Sequence, residues 1–213
     1  MKSNLLPIAY EGFRYILYSI AAFMIFWAFD FEFLALTSAI LVFVFMFIYR
    51  NPEREVVIFE PNSVLSPVDG VVASIQEIKD ERYGYKIAVE SGCLNVSVLR
   101  VPFDSTLSEV TVKKGARLSE KSSIFKVLNE NIELTFSATP SNFLKVRHVL
   151  TQSLLSFEVN VKKSQTLRKA ARYGVLPNGV TEIYIPRNFR LNVNLGDKLI
   201  ASESLLGYFI SLP

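Results

Sequence analysis

Few side chains in this sequence of 213 residues are suited to acid, base or nucleophilic chemistry. The one histidine, His148, alternates with apolar neighbours, which predicts a surface or half-buried strand position, with a relocated catalytic base as the alternative. The one cysteine, Cys93, has no second cysteine to pair with, so we interpret it as a small packed side chain. These counts exclude a Cys/His metal cluster, and no loop motif for carboxylate-only magnesium or calcium binding is present.

Two turn sequences also place polar groups where the chain reverses. Asp69 precedes Gly70 in a Pro-Val-Asp-Gly turn, where an aspartate commonly bonds its own backbone. Residues 177–179 are Pro-Asn-Gly, a sequence that favours a two-residue hairpin turn between strands. An asparagine before a glycine, such as Asn178, can also rearrange to a succinimide. That backbone reaction does not create a ketone that could serve as a catalytic group.

The elements that must position these residues are short strands. Segments rich in β-branched and aromatic residues alternate with turn signals about every 8 to 15 residues, which predicts antiparallel β structure. The predicted strands cover residues 70–78, 86–90, 94–101, 109–113, 132–137, 144–150, 154–161, 181–185 and 189–193. Two Gly-centred phrases, at 109–118 and 191–201, are typical of compact barrel-sandwich folds. We therefore predict an all-β, barrel-sandwich-like antiparallel domain over residues 51–213.

The first 50 residues have a different character. Two almost uncharged apolar segments, residues 15–29 and 33–49, are separated only by Asp30, Phe31 and Glu32. This pattern predicts an N-terminal transmembrane helical hairpin as a membrane anchor over residues 1–50. Each arm is about 23–26 Å long, so it spans a thinned bilayer or enters as a re-entrant pair. A buried hairpin in a soluble core is the alternative, and no cleavage site supports a signal peptide.

Charge indicates the orientation of this anchor. Basic residues lie outside the hairpin, while its tip carries only acids, which predicts that the domain faces the cytoplasm from the cell (inner) membrane. Residues 1–50 are balanced in charge, so the formal net charge of +3 belongs to residues 51–213. That mild surplus suits an anionic membrane surface and does not indicate nucleic-acid binding.

Several motifs occur in a characteristic order. The hairpin leads into residues 49–54 (Tyr-Arg-Asn-Pro-Glu-Arg), followed by 65–70 (Leu-Ser-Pro-Val-Asp-Gly) and, near the C-terminus, 196–199 (Gly-Asp-Lys-Leu). Shorter matches occur at 99–102 (Leu-Arg-Val-Pro), 129–130 (Asn-Glu) and 184–186 (Tyr-Ile-Pro). Together these segments resemble the short, membrane-anchored branch of the phosphatidylserine decarboxylase family, and the resemblance covers almost the whole chain.

The resemblance implies a particular chemistry. Members of this family make a pyruvoyl group from their own chain: a serine hydroxyl attacks the preceding carbonyl, the chain is cut, and the new terminal ketone accepts electrons during decarboxylation of phosphatidylserine to phosphatidylethanolamine. An aspartate and a histidine help to activate that serine. Such a site needs all three residues, so each of their positions must be compared with this sequence.

The resemblance places the family aspartate at Asp69, the histidine at Ser97 and the serine at Gly179. Glycine has no nucleophile, and serine cannot accept a proton at neutral pH as imidazole can. Residues 173–185 contain no serine or cysteine, and Thr181 carries their only aliphatic hydroxyl. The resemblance therefore implies a divergent member, a pseudoenzyme in which the pyruvoyl cofactor is absent.

Three hypotheses for function follow. The leading one is a phosphatidylserine-decarboxylase-related membrane protein of phospholipid metabolism that does not process itself. It would bind phosphatidylserine or a related anionic lipid, or act as a regulatory partner of phospholipid-synthesis enzymes. The second is an active carboxy-lyase with an atypical nucleophile. The third is a structural membrane adaptor with no lipid role.

Overall fold

The computed structural model describes residues 6–54 and 62–210. The chain divides into two compact units, Met1–Glu53 and Arg54–Pro213. The first unit is helical and the second is rich in β structure.

The first unit is a pair of helices. A 3-10 helix at Tyr10–Gly12 leads into α1 (Phe13–Ala28), and α2 spans Glu32–Ile48. The reversal between α1 and α2 includes Asp30, whose φ of 59° lies in the left-handed region that aspartate tolerates. Tyr49 is buried directly after α2, and its carbonyl accepts a 2.7 Å hydrogen bond from the Ala9 N–H. The start and the end of this unit are therefore joined.

The predicted transmembrane hairpin is wrong. Within residues 6–54 and 62–210, no helix combines the length and the apolar character needed to cross a membrane. The helix α1 has 16 residues and α2 has 17. At 1.5 Å per residue these helices are about 24–26 Å long, below the roughly 30 Å of a bilayer's hydrocarbon core.

The second unit is built from strands and one short helix. Within residues 62–210 the strands are β1 (Ser63–Leu65), β2 (Gly70–Glu77), β3 (Tyr83–Ser91), β4 (Val98–Arg100), β5 (Ser105–Lys113), β6 (Asn131–Ser137), β7 (Phe143–Leu150), β8 (Glu158–Val159), β9 (Thr166–Leu167), β10 (Arg172–Val175), β11 (Gly179–Pro186), β12 (Phe189–Leu191), β13 (Lys198–Leu199) and β14 (Leu205–Phe209). The helix α3 (Phe125–Leu128) lies between β5 and β6.

The described strands form three antiparallel sheets. The largest has the order β13-β2-β3-β11-β7-β6-β5-β9, and the two smaller ones have the orders β1-β14-β12 and β4-β10-β8. The predicted β-rich, antiparallel character is thus present within residues 62–210, in one eight-stranded and two three-stranded sheets.

Alternation along the strands gives the large sheet two different faces. On β11, Ile183 and Ile185 belong to the main hydrophobic core, while Glu182, directly before Ile183, pairs with cations on the opposite face. Side chains along a strand point to alternate sides, so the same sorting applies to β3, β6 and β7. One face of the sheet is covered by the core and the other carries charged groups.

The predicted hairpin turn at residues 177–179 is also wrong. The strand β10 pairs with β4 and β8, whereas β11 pairs with β3 and β7, so the two consecutive strands belong to different sheets. Neither Asn178 nor Gly179 has the positive φ of a type I′ turn. Residues 176–178 therefore carry the chain from one sheet to another.

Candidate functional site

Asp69 lies in the turn before β2 and is fixed by three contacts. Its Oδ1 accepts a 2.8 Å hydrogen bond from the Ala201 N–H, and its Oδ2 accepts a 2.7 Å bond from Arg54 Nη2. Its backbone carbonyl accepts a 2.6 Å bond from the Ser91 hydroxyl. Both carboxylate oxygens of this buried side chain are thus engaged with the protein.

The motifs that carry the family resemblance meet around Asp69. Arg54, which ends the first motif, forms the ion pair with Asp69 and lies 4.0 Å from the Glu203 carboxylate. Arg100, from the shorter match at 99–102, donates its backbone N–H to the Pro67 carbonyl at 2.9 Å. Burial lowers the pKa of Arg100, and the nearby Arg54 charge lowers it further. The fold therefore gathers segments that are up to 149 residues apart in the sequence, from Arg54 to Glu203.

Ser97 comes immediately before β4 and is buried. Its carbonyl accepts a 2.7 Å hydrogen bond from the N–H of Leu176, at the end of β10. Leu176 begins the segment that leads to Gly179, so the backbone at Ser97 is tied to the start of β11. A hydroxyl stands at the position where the resemblance places a family imidazole.

Gly179 is the first residue of β11 and is paired on both sides, with Ser91 of β3 and with Leu150 of β7. Because Ser91 also bonds to Asp69, it connects Gly179 with Asp69 directly. The three positions taken from the resemblance thus lie around one end of the large sheet. Their assignment to the catalytic positions of the family stays a prediction.

The backbone at Gly179 leaves no room for a larger residue. A Cβ atom added there would lie less than 3.0 Å from the carbonyl oxygen of Val149, a separation that real Cβ atoms essentially never show. A serine at this position would therefore require β7 or β11 to shift. The residues present do not fit a pyruvoyl group made from a serine at residue 179, since they provide neither the hydroxyl nor the space for it.

A row of buried, hydrogen-bonded polar side chains that the sequence did not reveal begins at Thr181, two residues after Gly179 on β11. His148 Nδ1 is 2.8 Å from Thr181 Oγ1, and His148 Nε2 is 2.7 Å from the Tyr173 hydroxyl. All three side chains are buried, so His148 is not the surface or half-buried residue that its neighbours predicted. The sequence signal was its position along the strand. Val146, His148 and Leu150 point to the same side of β7, and both Val146 and Leu150 are in the core.

Burial controls the protonation of this chain of residues. Desolvation lowers the pKa of His148 to about 3, so the imidazole is neutral at pH 7 and one of its ring nitrogens accepts a hydrogen bond. Burial raises the pKa of Tyr173, which keeps its phenol protonated. The arrangement of hydroxyl, neutral imidazole and orienting phenol has the form of an activated nucleophile.

The described residues offer no metal centre. No three His, Cys, Asp or Glu side chains within residues 6–54 and 62–210 are grouped so that they could hold an ion. Cys93 is exposed, contrary to the packed position predicted for it.

The sequence of this chain is similar to those of known proteins over most of its length. The family model for phosphatidylserine decarboxylase matches residues 41–207. The chain is 29% identical to the phosphatidylserine decarboxylase proenzyme of Pelobacter propionicus over 97% of this chain and 99% of that protein. It is 28% identical to the proenzyme of Geobacter metallireducens, with the same coverage, and 29% identical to that of Burkholderia cenocepacia over 78% of this chain and 79% of that protein.

The β-rich fold and its gathered motifs thus belong to a known class of lipid-metabolising proteins. The chain is a member of the phosphatidylserine decarboxylase family, which confirms the resemblance seen in its motifs. Its relatives place it in phospholipid metabolism.

Proposed function

We propose that this chain is a family member that does not form a pyruvoyl group and that binds a phospholipid headgroup without decarboxylating it. Gly179 is the observation that carries the proposal. Self-processing needs a hydroxyl at the residue after the cut, and this position has neither a side chain nor space for one. A protein with this site would act as a lipid-binding or regulatory partner in phospholipid synthesis.

Two further features support the absence of processing. Ser97 stands where an imidazole would accept the serine proton, and a serine hydroxyl is a poor base at neutral pH. Asp69 has both oxygens engaged, one with Arg54 and one with the Ala201 N–H, so its carboxylate serves the local structure. The location at the cytoplasmic side of the cell membrane remains a prediction from sequence.

A turnover assay tests this proposal. The purified full chain is incubated with phosphatidylserine in mixed micelles, and carbon dioxide release is measured beside the Pelobacter propionicus proenzyme as a positive control. We expect no release above the protein-free blank, together with measurable binding of phosphatidylserine. Release that is lost in an Asp69→Asn variant would overturn the proposal.

A second candidate is an active decarboxylase with an atypical nucleophile, and the contact between Thr181 and His148 favours it. The Thr181 hydroxyl would attack the Val180 carbonyl carbon and pass its proton to His148, and the Val180–Thr181 C–N bond would break to leave an ester and a free amine. Elimination would then break the ester bond at the Thr181 Cβ and release the Val180 carboxylate. Hydrolysis of the remaining enamine would release ammonia and leave a 2-oxobutanoyl group at the new N-terminus. Cleavage would then give fragments 1–180 and 181–213, and a Thr181→Val variant would stay whole. Against this candidate, Thr181 sits inside β11 with paired strands on both sides, where its backbone is held extended.

A further inference from the structure

The face of the eight-stranded sheet that points away from the core carries a connected array of charges. We call this array the cationic face. Its members come from four neighbouring strands and from α3: Lys86, Lys126, Lys145, Arg147, Glu133 and Glu182.

Glu182 is the centre of the array. Its carboxylate lies 2.7 Å from Lys86 Nζ, 3.1 Å from Lys126 Nζ and 3.3 Å from Arg147 Nη1. The Glu182 side chain is fully buried, whereas those of Lys86, Lys126 and Arg147 are 21%, 43% and 18% exposed. The negative charge is thus covered by the cations, and the groups that reach solvent are positive.

Glu133, two strands further on in the sheet, repeats this arrangement. Its carboxylate lies 2.7 Å from Lys145 Nζ and 3.4 Å from Arg147 Nε. Four cations and two carboxylates leave a local charge of +2, against a formal +3 for the whole chain. Glu109 and Lys113, on the adjoining β5, cancel each other. These six side chains therefore form a local surplus of positive charge, and the exposed Glu90, further along β3, lies on the same side of the sheet.

Two lysines of the cationic face, Lys86 and Lys145, stay charged at neutral pH. Burial acts to lower the pKa of Lys86, but its hydrogen bond to Glu182 outweighs burial and raises the value. The pKa of Lys145 is raised in the same way by its hydrogen bond to Glu133. Tyr184 lies between them, with its ring centroid 5.2 Å from Lys86 Nζ and 5.6 Å from Lys145 Nζ.

The shape of the array indicates the kind of partner. Its charges extend over β3, β11, β7 and β6, and neighbouring strands lie about 4.8 Å apart, so the array is about 14 Å wide. Lysine and arginine side chains spread across several strands match many separate negative charges better than one small ligand in a cleft. The half-buried Tyr184 adds an amphipathic ring of the kind enriched where proteins meet lipid headgroups.

We propose that the cationic face is the surface through which this domain contacts an anionic phospholipid bilayer. The inference deepens the proposed function and rests on it, because it states how the domain reaches a membrane that contains its lipid. The contact is electrostatic and depends on the charge of the headgroups rather than on their serine group.

Charge neutralisation on the full chain tests this surface. The face variant is Lys126→Gln/Lys145→Gln, which leaves Glu182 with Lys86 and Arg147, and Glu133 with Arg147. The matched control is Lys162→Gln/Lys163→Gln, which removes two exposed lysines elsewhere and gives the same net charge. Thermal unfolding of each variant confirms that the fold is kept.

Binding is measured by sedimentation with three kinds of vesicle: phosphatidylcholine alone, and phosphatidylcholine mixed with equal proportions of phosphatidylglycerol or phosphatidylserine. The readout is the preference for anionic over neutral vesicles. We expect the preference of the face variant for anionic vesicles to fall about fivefold for each charge removed, and that of the control to stay unchanged. Added salt should abolish the difference between the two variants. Equal losses in both variants, or no loss in the face variant, would overturn the proposal.

The same vesicles separate this inference from the proposed function. If the wild-type chain binds phosphatidylglycerol and phosphatidylserine vesicles equally and the face variant binds both weakly, the cationic face is supported and headgroup recognition fails. If the face variant binds as strongly as the wild-type chain and still prefers phosphatidylserine to phosphatidylglycerol vesicles, headgroup recognition is supported. The proposal for the cationic face is then overturned.

Discussion

The Cα of Gly179 lies so close to the Val149 carbonyl that a side chain at residue 179 would collide with the backbone of the neighbouring strand. The two residues are held in this position because β7 and β11 pair along their whole overlap, from Gly179 and Leu150 to Tyr184 and Lys145. The absence of a side chain at residue 179 is thus built into the pairing of the sheet.

Replacement of Gly179 tests this collision. We expect Gly179→Ser and Gly179→Ala to lower the free energy of unfolding by about 1–3 kcal/mol each, because forcing atoms into a packed site strains the backbone. Urea denaturation measures the change. Gly92→Ser is the control, since a Cβ there would meet only the Asn95 side chain, at 3.6 Å. A Gly179→Ser variant as stable as wild type would show that the sheet accommodates a serine.

The buried imidazole predicts a dependence of stability on pH. The folded pKa of His148, about 3, is below the unfolded value of 6.5, so the unfolded chain binds the extra proton between these values. Stability from this residue is complete above pH 6.5 and falls as the pH drops, by about 1.4 kcal/mol per pH unit. Unfolding free energies between pH 7 and 5 measure the slope, and a His148→Gln variant should lack it. An identical slope in both proteins would contradict a buried neutral histidine.

The carboxylate of Glu182 should contribute strongly to stability. A Glu182→Gln variant leaves Lys86, Lys126 and Arg147 close together without their shared counter-charge, and we expect a loss of about 3–5 kcal/mol. Chemical denaturation in urea measures it, and added salt should recover part of the loss. Glu133→Gln is the control, because this residue is partly exposed and should cost less than Glu182→Gln. Equal losses would show that burial of Glu182 is not decisive.

Asp69 is expected to act on stability. An Asp69→Asn variant loses the ion pair with Arg54, and its NH2 group, itself a donor, faces one of the two donors that bonded the carboxylate. We expect the free energy of unfolding to fall by about 1–3 kcal/mol. Thermal unfolding tests this cost. Asp80→Asn, an exposed turn residue whose carboxylate accepts the Arg82 N–H, should cost less. If Asp69→Asn leaves the melting temperature unchanged, the contacts around Asp69 do not hold this site together.

Sequence patterns located the long strands well, for a physical reason. Strands β6 and β7 alternate apolar and polar residues regularly, so the predicted residues 132–137 and 144–150 agree with Asn131–Ser137 and Phe143–Leu150. The short strands β10 and β14 were missed because Gly174 and Gly207 interrupt their patterns. The Pro-Asn-Gly turn was misjudged because local preference cannot show that β10 and β11 join different sheets.

The site was predictable only in part. Motif order pointed to Asp69, Ser97 and Gly179, and in the fold Ser91 connects Asp69 with Gly179 while the Leu176 N–H bonds the Ser97 carbonyl. The contact between His148 and Thr181 joins residues 33 positions apart, which no local pattern encodes. The charged face of the sheet was likewise invisible, because it depends on the register of four strands.

We expect this chain to stay uncut, and the decisive measurement is the intact mass of the purified full-length protein. A single species of 24.1 kDa is the expected result. Two fragments, the smaller carrying a ketone at its N-terminus, would contradict it. The position of the cut would then identify the nucleophile, with a new N-terminus at residue 181 assigning that role to Thr181.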